Sequence, residues 1–397
     1  IGSAGSILAA RIAYLLDLRG PCIALDTACS TSLVAIAQAC DSLLLGNTDL
    51  ALAGGACVLL GPRMHIDTSK VGMLSPDGRC YSFDQRANGF VPGEGVGVVL
   101  LKRLADAERD GDPIRAVIRG WGSNQDGHTN GITAPNPLAQ GALLSQVYRR
   151  FAIPPASIGL VETHGTGTSL GDPIEIEGLR AVFGPVPSGT SVAIGSVKSN
   201  VGPLLAAAGV AGAIKAMLAL EHAELPPSIH FEQQNEHLAL AGSPFRVQTR
   251  PAPWPAPAGA PRRAAVSAFG FSGTNAHLVL EEYRPSGSAT TGGAVPPGPL
   301  LCILSARSRA QLAALAAGLS SHLVAAPGIN LADLCWTLQR GRRAFECRAA
   351  CLFLSRDELL GQLRALAAGQ SVPGLSASGA TPRDRMLFDD DGDAREL

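Results

Sequence analysis

The sequence predicts an α/β fold built on a sheet that is covered on both faces. Three observations carry that expectation. Helix and strand signals alternate from residue 6 to residue 220. Residues 95–101, GVGVVLL, form an unbroken apolar run, the pattern of a strand buried on both sides. A unit of strand, small-residue corner and apolar helix occurs at residues 23–45 and again at 193–220, which hints at an internal duplication.

In chain order, residues 6–16 carry a helical pattern that ends near Gly20-Pro21. Cys22-Ile23-Ala24-Leu25 reads as a strand, and Leu33, Val34, Ile36, Ala37, Cys40, Leu43 and Leu44 mark the apolar face of a helix. Residues 50–59 read as a strand in a Gly/Ala setting, 79–92 as a loop and 104–110 as a short helix ending at Gly111. A strand at 114–119, a polar Gly-rich loop at 124–136 and an amphipathic helix at 140–151 follow. The strand at 158–163 runs into His164-Gly165-Thr166-Gly167-Thr168. Next come a helix at 174–183, a strand at 192–196 and an Ala-rich helix at 204–220. Residues 264–283 read as two strands about Phe269-Gly270-Phe271-Ser272-Gly273-Thr274-Asn275.

Residues 285–299, PSGSATTGGAVPPGP, have the composition of a flexible linker. A small α/β segment is expected at 300–368: a strand at 300–304, a helix at 306–324 that Ser305 could cap, a helix at 331–339, a strand at 349–354 and a last helix capped by Ser355. Residues 369–397, with turn formers and the acidic cluster Asp389 to Asp393, are expected to be a poorly ordered tail.

The 397 residues are 46% hydrophobic and 16% charged, with a formal net charge of −1. That composition belongs to a core-rich globular chain of two or three domains. Near-neutrality argues against nucleic acid or a membrane surface as the main partner. No signal peptide and no apolar run long enough for a bilayer is read in the sequence. Nine scattered cysteines show no CxxC pair and no metal-ligand spacing, so reduced thiols in the cytoplasm and no metal site are expected.

Asp26-Thr27-Ala28-Cys29-Ser30-Thr31-Ser32-Leu33 places Cys29 on a strand-to-helix corner, at or near a helix N-terminus. The helix dipole and free N–H groups there favour a thiolate, and a thiolate so placed is a nucleophile for acyl groups. A buried cysteine acting as a small apolar filler is the alternative.

The runs DTACSTSLVAI, VETHGTGTSLGDPIE, KSNVGP and GFSGTNAH, in that order, resemble the β-ketoacyl synthase (ketosynthase) domain of modular type I polyketide synthases. FDQRANGFVPGEGVGVVLLKR and NQDGHTNGITAPN support the resemblance, which covers residues 1–284. Residues 300–368 resemble the linker subdomain that follows such domains. The resemblance implies a thiolase-like, five-layered α-β-α-β-α duplication, with an N-terminal half at 1–112 and a C-terminal half at 113–284. It also implies that the N-terminal half is incomplete.

The resemblance assigns Cys29 as acyl acceptor and His164 as the first catalytic histidine, which steadies an enolate formed on decarboxylation. Lys198 would organise the site through charge, where the ordinary fate of a lysine is the solvated surface. Thr166 and Thr168 would hydrogen-bond the phosphopantetheine arm of an acyl carrier protein, unless the segment is only a tight turn. The backbone N–H groups of Cys29 and Phe271 would form an oxyanion hole, although Phe269 and Phe271 could equally be core aromatics. No cofactor is expected to bind directly. A homodimer and further polyketide synthase domains are the other implied partners.

One departure stands out. The family reads KSN-x-G-His, whereas this chain reads Lys198-Ser199-Asn200-Val201-Gly202-Pro203. Proline supplies neither a ring donor nor a backbone N–H, so the second catalytic histidine is lost. Leu205 also replaces a glutamate common in modular synthases. Pro203 is expected to open the following helix, where proline is tolerated. The sequence therefore predicts an acyltransferase that loads acyl chains but condenses poorly. A carrier-docking scaffold without catalysis and a fully condensing ketosynthase are the competing readings, with a degradative thiolase a weaker third.

Overall fold

Period-two alternation in two adjoining strands decides how the first unit packs. Ala264, Val266 and Ala268 turn their side chains to one hydrophobic cluster together with Ala276, Leu278 and Leu280, while Ala265 and Val279 turn to another. The computed structural model describes residues 4–184, 191–285 and 298–378. It divides into two units, Ile1–Arg284 and Pro285–Leu397.

The first unit runs α1 (Ser6–Leu16), α2 (Thr31–Leu44), β1 (Leu50–Cys57), α3 (Arg63–Lys70), β2 (Gly95–Lys102), α4 (Leu104–Asp110), β3 (Val117–Gln125), α5 (Pro137–Arg150), β4 (Leu160–Glu162), α6 (Gly171–Phe183), β5 (Val192–Gly195), α7 (Lys198–Val201), α8 (Ala208–His222), β6 (Glu224–Leu225), β7 (Phe245–Val247), β8 (Ala252–Pro253), β9 (Arg263–Phe269) and β10 (Thr274–Glu281). Six strands form one sheet in the order β3-β10-β9-β4-β5-β7. β9, β4, β5 and β7 run parallel, and β10 pairs antiparallel with both β3 and β9. β1 and β2 form a separate antiparallel pair, with Leu52 opposite Leu100.

α2 and α8 share the cluster between these two sheets, through Leu33, Ile36, Val210, Ala213 and Ala216. Their small residues let helix and strand backbones approach closely. α5 and α6 cover the other face of the six-stranded sheet through Leu143, Leu144, Val147, Ile176 and Leu179. Four layers therefore follow one another among the described residues. The fifth expected layer, outside β1 and β2, is not among them: Val96, Val98 and Leu100 are 69%, 47% and 65% exposed. The apolar run 95–101 is thus covered on one face only here, against the expectation of two.

Other expectations are corrected locally. Cys22-Ile23-Ala24-Leu25 forms no strand among the described residues, because no described strand lies beside it to complete a ladder. α3 had no sequence expectation. Pro203 does not open the long helix: it lies between α7 and a 3-10 turn, Leu205–Ala207, and α8 starts only at Ala208. The 18-residue stretch Leu205–His222 is long and apolar enough for a membrane span, which the sequence reading missed. Half of it is buried, as befits a core helix between sheets.

The second unit contains β11 (Leu300–Ala306), α9 (Arg309–Ala325), α10 (Leu331–Arg340), β12 (Cys347–Phe353), α11 (Arg356–Ala367) and β13 (Leu375–Ser378). Its sheet is antiparallel in the order β11-β12-β13. Cys302, Leu304, Cys351 and Phe353 pack with Leu312, Ala316, Leu359 and Leu363 of the helices. Ser355 caps α11, accepting the Glu358 N–H at 3.2 Å. Ser305 does not cap α9. It lies within β11, and Ser308 caps instead through the Gln311 N–H. The tail is ordered further than expected, since Leu375–Ser378 adds an edge strand to β12. Residues 286–297 of the linker and 379–397 of the acidic tail lie outside the described residues.

One buried triad offers a stability test. His277 Nδ1 meets Ser267 Oγ at 2.9 Å and Nε2 meets the Tyr148 hydroxyl at 3.2 Å, all inside the core. Burial pushes the imidazole pKa down from 6.5 to about 3. The folded state therefore holds His277 neutral while the unfolded chain takes up a proton. That stabilisation is complete above pH 6.5 and is lost as pH falls towards 3, at about 1.4 kcal/mol per pH unit for one proton. Denaturant unfolding at a series of pH values should show that slope, superposed on the opposite effect of raised carboxyl groups, and His277→Gln should remove it. An unchanged slope in the variant contradicts the assignment.

Candidate active site

The corner before α2 is shaped by its own short polar side chains. Asp26 Oδ1 accepts the Ala28 N–H at 2.8 Å, and Thr31 Oγ1 accepts the Thr27 N–H at 2.9 Å. Thr31 Oγ1 also donates to Ala28 O, and Ser30 Oγ donates to Thr27 O. These bonds hold Ala28 at φ 55°, a left-handed conformation that costs an alanine energy and persists only where its surroundings fix it. The result is a 3-10 turn, Ala28–Ser30, that carries Cys29 at the start of α2. Ser32 Oγ then accepts the Val210 N–H at 2.9 Å, tying α2 to α8.

The backbone N–H groups of Phe271 and of Cys29 itself act on the Cys29 thiol and pull its pKa down. The turn after β9 is pressed onto the corner to make this possible. A Cβ on Gly270 would lie 2.3 Å from Thr27 O, so only glycine fits there. Phe271 points its ring outwards, 59% exposed, and is not a core aromatic.

Lys198 is not a surface lysine. It opens α7 and is 4% exposed. Its ammonium donates to the His164 carbonyl oxygen and lies 3.4 Å from His164 Nδ1. The Phe269 N–H donates to that same Nδ1 at 3.3 Å, which leaves the imidazole proton on Nε2. The structure thus brings Cys29, His164, Lys198 and the Phe271 amide together.

Burial dominates the protonation of this group. It pushes the Cys29 thiol pKa up, while Lys198 and the two amides pull it down. The net direction is upward, against the expectation that this corner favours a thiolate. Burial and the neighbouring Lys198 hold His164 well below 6.5, so it is neutral with an Nε2–H donor. Lys198 itself is lowered by burial and supported by Cys29, Glu175, Glu162 and Asp172.

Thr166 and Thr168 are half-buried in the loop after His164. Thr168 Oγ1 accepts the Gly171 N–H at 3.1 Å, leaving its hydroxyl proton free to donate. Pro203 is buried, and its carbonyl accepts the Gly93 N–H at 3.1 Å. The 3-10 turn that follows it packs on the turn carrying Cys29.

Known proteins are similar to this chain along most of its length. Residues 1–107 match the β-ketoacyl synthase N-terminal domain, 115–232 its C-terminal domain, and 300–363 the CurL-like polyketide synthase C-terminal family. A ketosynthase from module 6 of the bacillaene synthase of Bacillus subtilis superposes with a TM-score of 0.90 at 45% identity, covering 99% of this chain and 69% of that one. The chain belongs to the β-ketoacyl synthase family of polyketide synthases.

The oxazolomycin ketosynthase domain of Streptomyces albus is similar at a TM-score of 0.88 and 41% identity, over 96% of this chain and 66% of that one. A component of the phenolphthiocerol/phthiocerol polyketide synthase of Mycobacterium tuberculosis is 47% identical over 94% of this chain. Polyketide synthase PksL of Bacillus subtilis is 45% identical over 100% of it. The chain spans 24% and 9% of those two proteins. The fold is therefore thiolase-like, and the family is one of acyl-transferring condensing enzymes.

The sequence reading missed two carboxylates of this ketosynthase that shape the loop after β4. Glu175 accepts the N–H groups of His164 and Gly165 at 2.7 and 2.9 Å. Asp172 accepts those of Phe83 and Gly167. Burial raises them to about 7 and about 6. Both belong to the run GDPIE, and two acids on the first turns of an apolar helix were the available signal.

The Gly270 contact yields a prediction. Gly270→Ala must push the turn off Thr27 and withdraw the Phe271 amide from the sulfur. If that amide is the oxyanion donor the resemblance implies, acylation of Cys29 by an acyl thioester should slow about 10²-fold, while circular dichroism stays that of the parent. Acylation at the parent rate contradicts the geometry.

Proposed function

We propose that this chain accepts an acyl group from the phosphopantetheine arm of an acyl carrier protein onto Cys29, in polyketide or fatty-acid-type biosynthesis. The observation that carries the reading is the Gly270 turn seated on Thr27 beside Cys29, with a buried Lys198 bonded to His164. The sulfur attacks the thioester carbonyl, and the tetrahedral oxyanion lies in reach of the Cys29 and Phe271 N–H groups. Collapse expels the pantetheine thiolate, which takes up the proton that Cys29 gave. Thr166 and Thr168 offer hydroxyls to the amide-bearing arm. A second copy of the chain and other polyketide synthase domains complete the proposed assembly, in the cytoplasm.

Decarboxylative condensation makes a further demand. Loss of carbon dioxide from a malonyl thioester leaves an enolate whose oxygen needs donors. His164 supplies one through Nε2–H. At the second position Pro203 offers none, and its carbonyl is already engaged by Gly93. Loss of one donor at a developing charge costs about 3–4 kcal/mol. Loading and passing on of acyl chains should therefore survive where condensation fails.

The test is carbon dioxide release from malonyl carrier protein alongside acyl loading. The parent chain should load acyl groups and release carbon dioxide at least tenfold more slowly than Pro203→His. Rapid release that Pro203→His leaves unchanged contradicts the impairment. The buried Pro203 also favours a second reading, a carrier-docking scaffold, and carrier binding with no acyl adduct on Cys29 would select it.

A further inference from the structure

A buried ion pair lies behind the site. Lys215 Nζ, on α8, donates to Glu162 Oε2 at 2.6 Å, with the two side chains 12% and 2% exposed. Glu162 is the last residue of β4, two before His164. Its other oxygen, Oε1, accepts the Val197 N–H at 2.6 Å, one residue before Lys198. Gly212 packs closely against it: a Cβ there would lie 3.0 Å from Glu162 Cγ. One carboxylate thus joins the strand that leads to His164, the corner that leads to Lys198 and the helix that follows Pro203.

We infer that Glu162 and Lys215 are a positioning pair for acyl transfer, which fixes Lys198 against His164 and Cys29 and keeps the charge behind Lys198 at zero. This rests on the reading of Cys29 as acyl acceptor. The physical need is plain: a lone charge buried beside Lys198 would compete with the one that acts on the sulfur. Lys198 faces Cys29, Glu175, Glu162, Asp172 and His164. Cys29 faces Lys198 and Asp26, and Cys57 feels Cys29 in turn. Removing the Glu162 charge leaves the Lys215 cation uncompensated. A second ammonium at Lys198 is then disfavoured, and the thiolate loses support.

The experiment uses the whole chain and follows alkylation of Cys29 by iodoacetamide from pH 6 to pH 10, with the site located by peptide mapping. Glu162→Gln keeps an oxygen for the Val197 N–H and removes only the charge. Its profile should move about half a unit to one unit to higher pH, making alkylation about threefold to tenfold slower at pH 7.5. Glu162→Gln combined with Lys215→Met should return to within about threefold of the parent, because net charge is zero again. Glu162→Asp keeps the charge but shortens the reach, so its midpoint should move less than that of Glu162→Gln while its melting temperature falls. A parent-like profile in folded Glu162→Gln overturns the inference. So does a double variant shifted as far as the single one, or a midpoint in Glu162→Asp that moves as far as that of Glu162→Gln. Acyl loading of the parent is measured separately: if loading fails while these shifts appear, it is the functional reading that falls.

Discussion

The constraint on which the structure turns is the left-handed Ala28 that holds Cys29 at the head of a helix buried between two sheets. A non-glycine residue at φ 55° does not persist unless its neighbours over-determine it. Here Asp26, Thr27, Ser30 and Thr31 do so with hydroxyl and carboxylate hydrogen bonds inside six residues. Ser32 then anchors the helix to Val210, and Gly270 lets the turn after β9 lie on Thr27. The sequence DTACSTS is thus a local scaffold, and its polar residues serve the backbone more than the solvent.

Around that corner, burial works against every ionised group at once. It raises the thiol, lowers the ammonium and lowers the imidazole. The arrangement answers by putting the groups where each offsets another's cost. Lys198 supports the sulfur, buried carboxylates support Lys198, and backbone amides hold the carboxylates. His164 needs no charge, since one lone pair takes the Phe269 amide and its proton faces the other way. A cluster of this kind carries little net charge, which is why it can sit in the seam of a fold.

Much of this was legible in the sequence, and the exceptions have physical causes. Long apolar helices such as α2 and α5, and the strands β9 and β10, follow from periodicity, because packing on one face enforces it. The motif runs located Cys29, His164, Lys198 and the Phe271 turn, which share no local signal and meet only through the topology. The strand expected at Cys22–Leu25 failed because β structure needs a neighbour, which periodicity cannot supply. Coverage of β2 on both faces failed for the same reason: GVGVVLL states what the strand could bury, not what lies over it. Ser305 and Ser308 are both plausible caps in sequence, and only the extent of β11 decides between them. Asp172 and Glu175 were passed over because acids near a helix start ordinarily face water, whereas these turn inward to a glycine-rich loop.

Pro203 offers no side-chain donor, yet it is packed into the frame around it. Its carbonyl meets Gly93 and the turn beyond it packs on the turn that carries Cys29. On the proposed function, a sulfur prepared for acyl transfer and an enolate site short of one partner would coexist in one chain. The most direct measurement is the intact mass of the chain after incubation with an acyl pantetheine thioester, followed by peptide mapping. The account predicts a gain of one acyl group, carried on Cys29. No adduct, or an adduct on the exposed Cys22 with Cys29 unmodified, would contradict it.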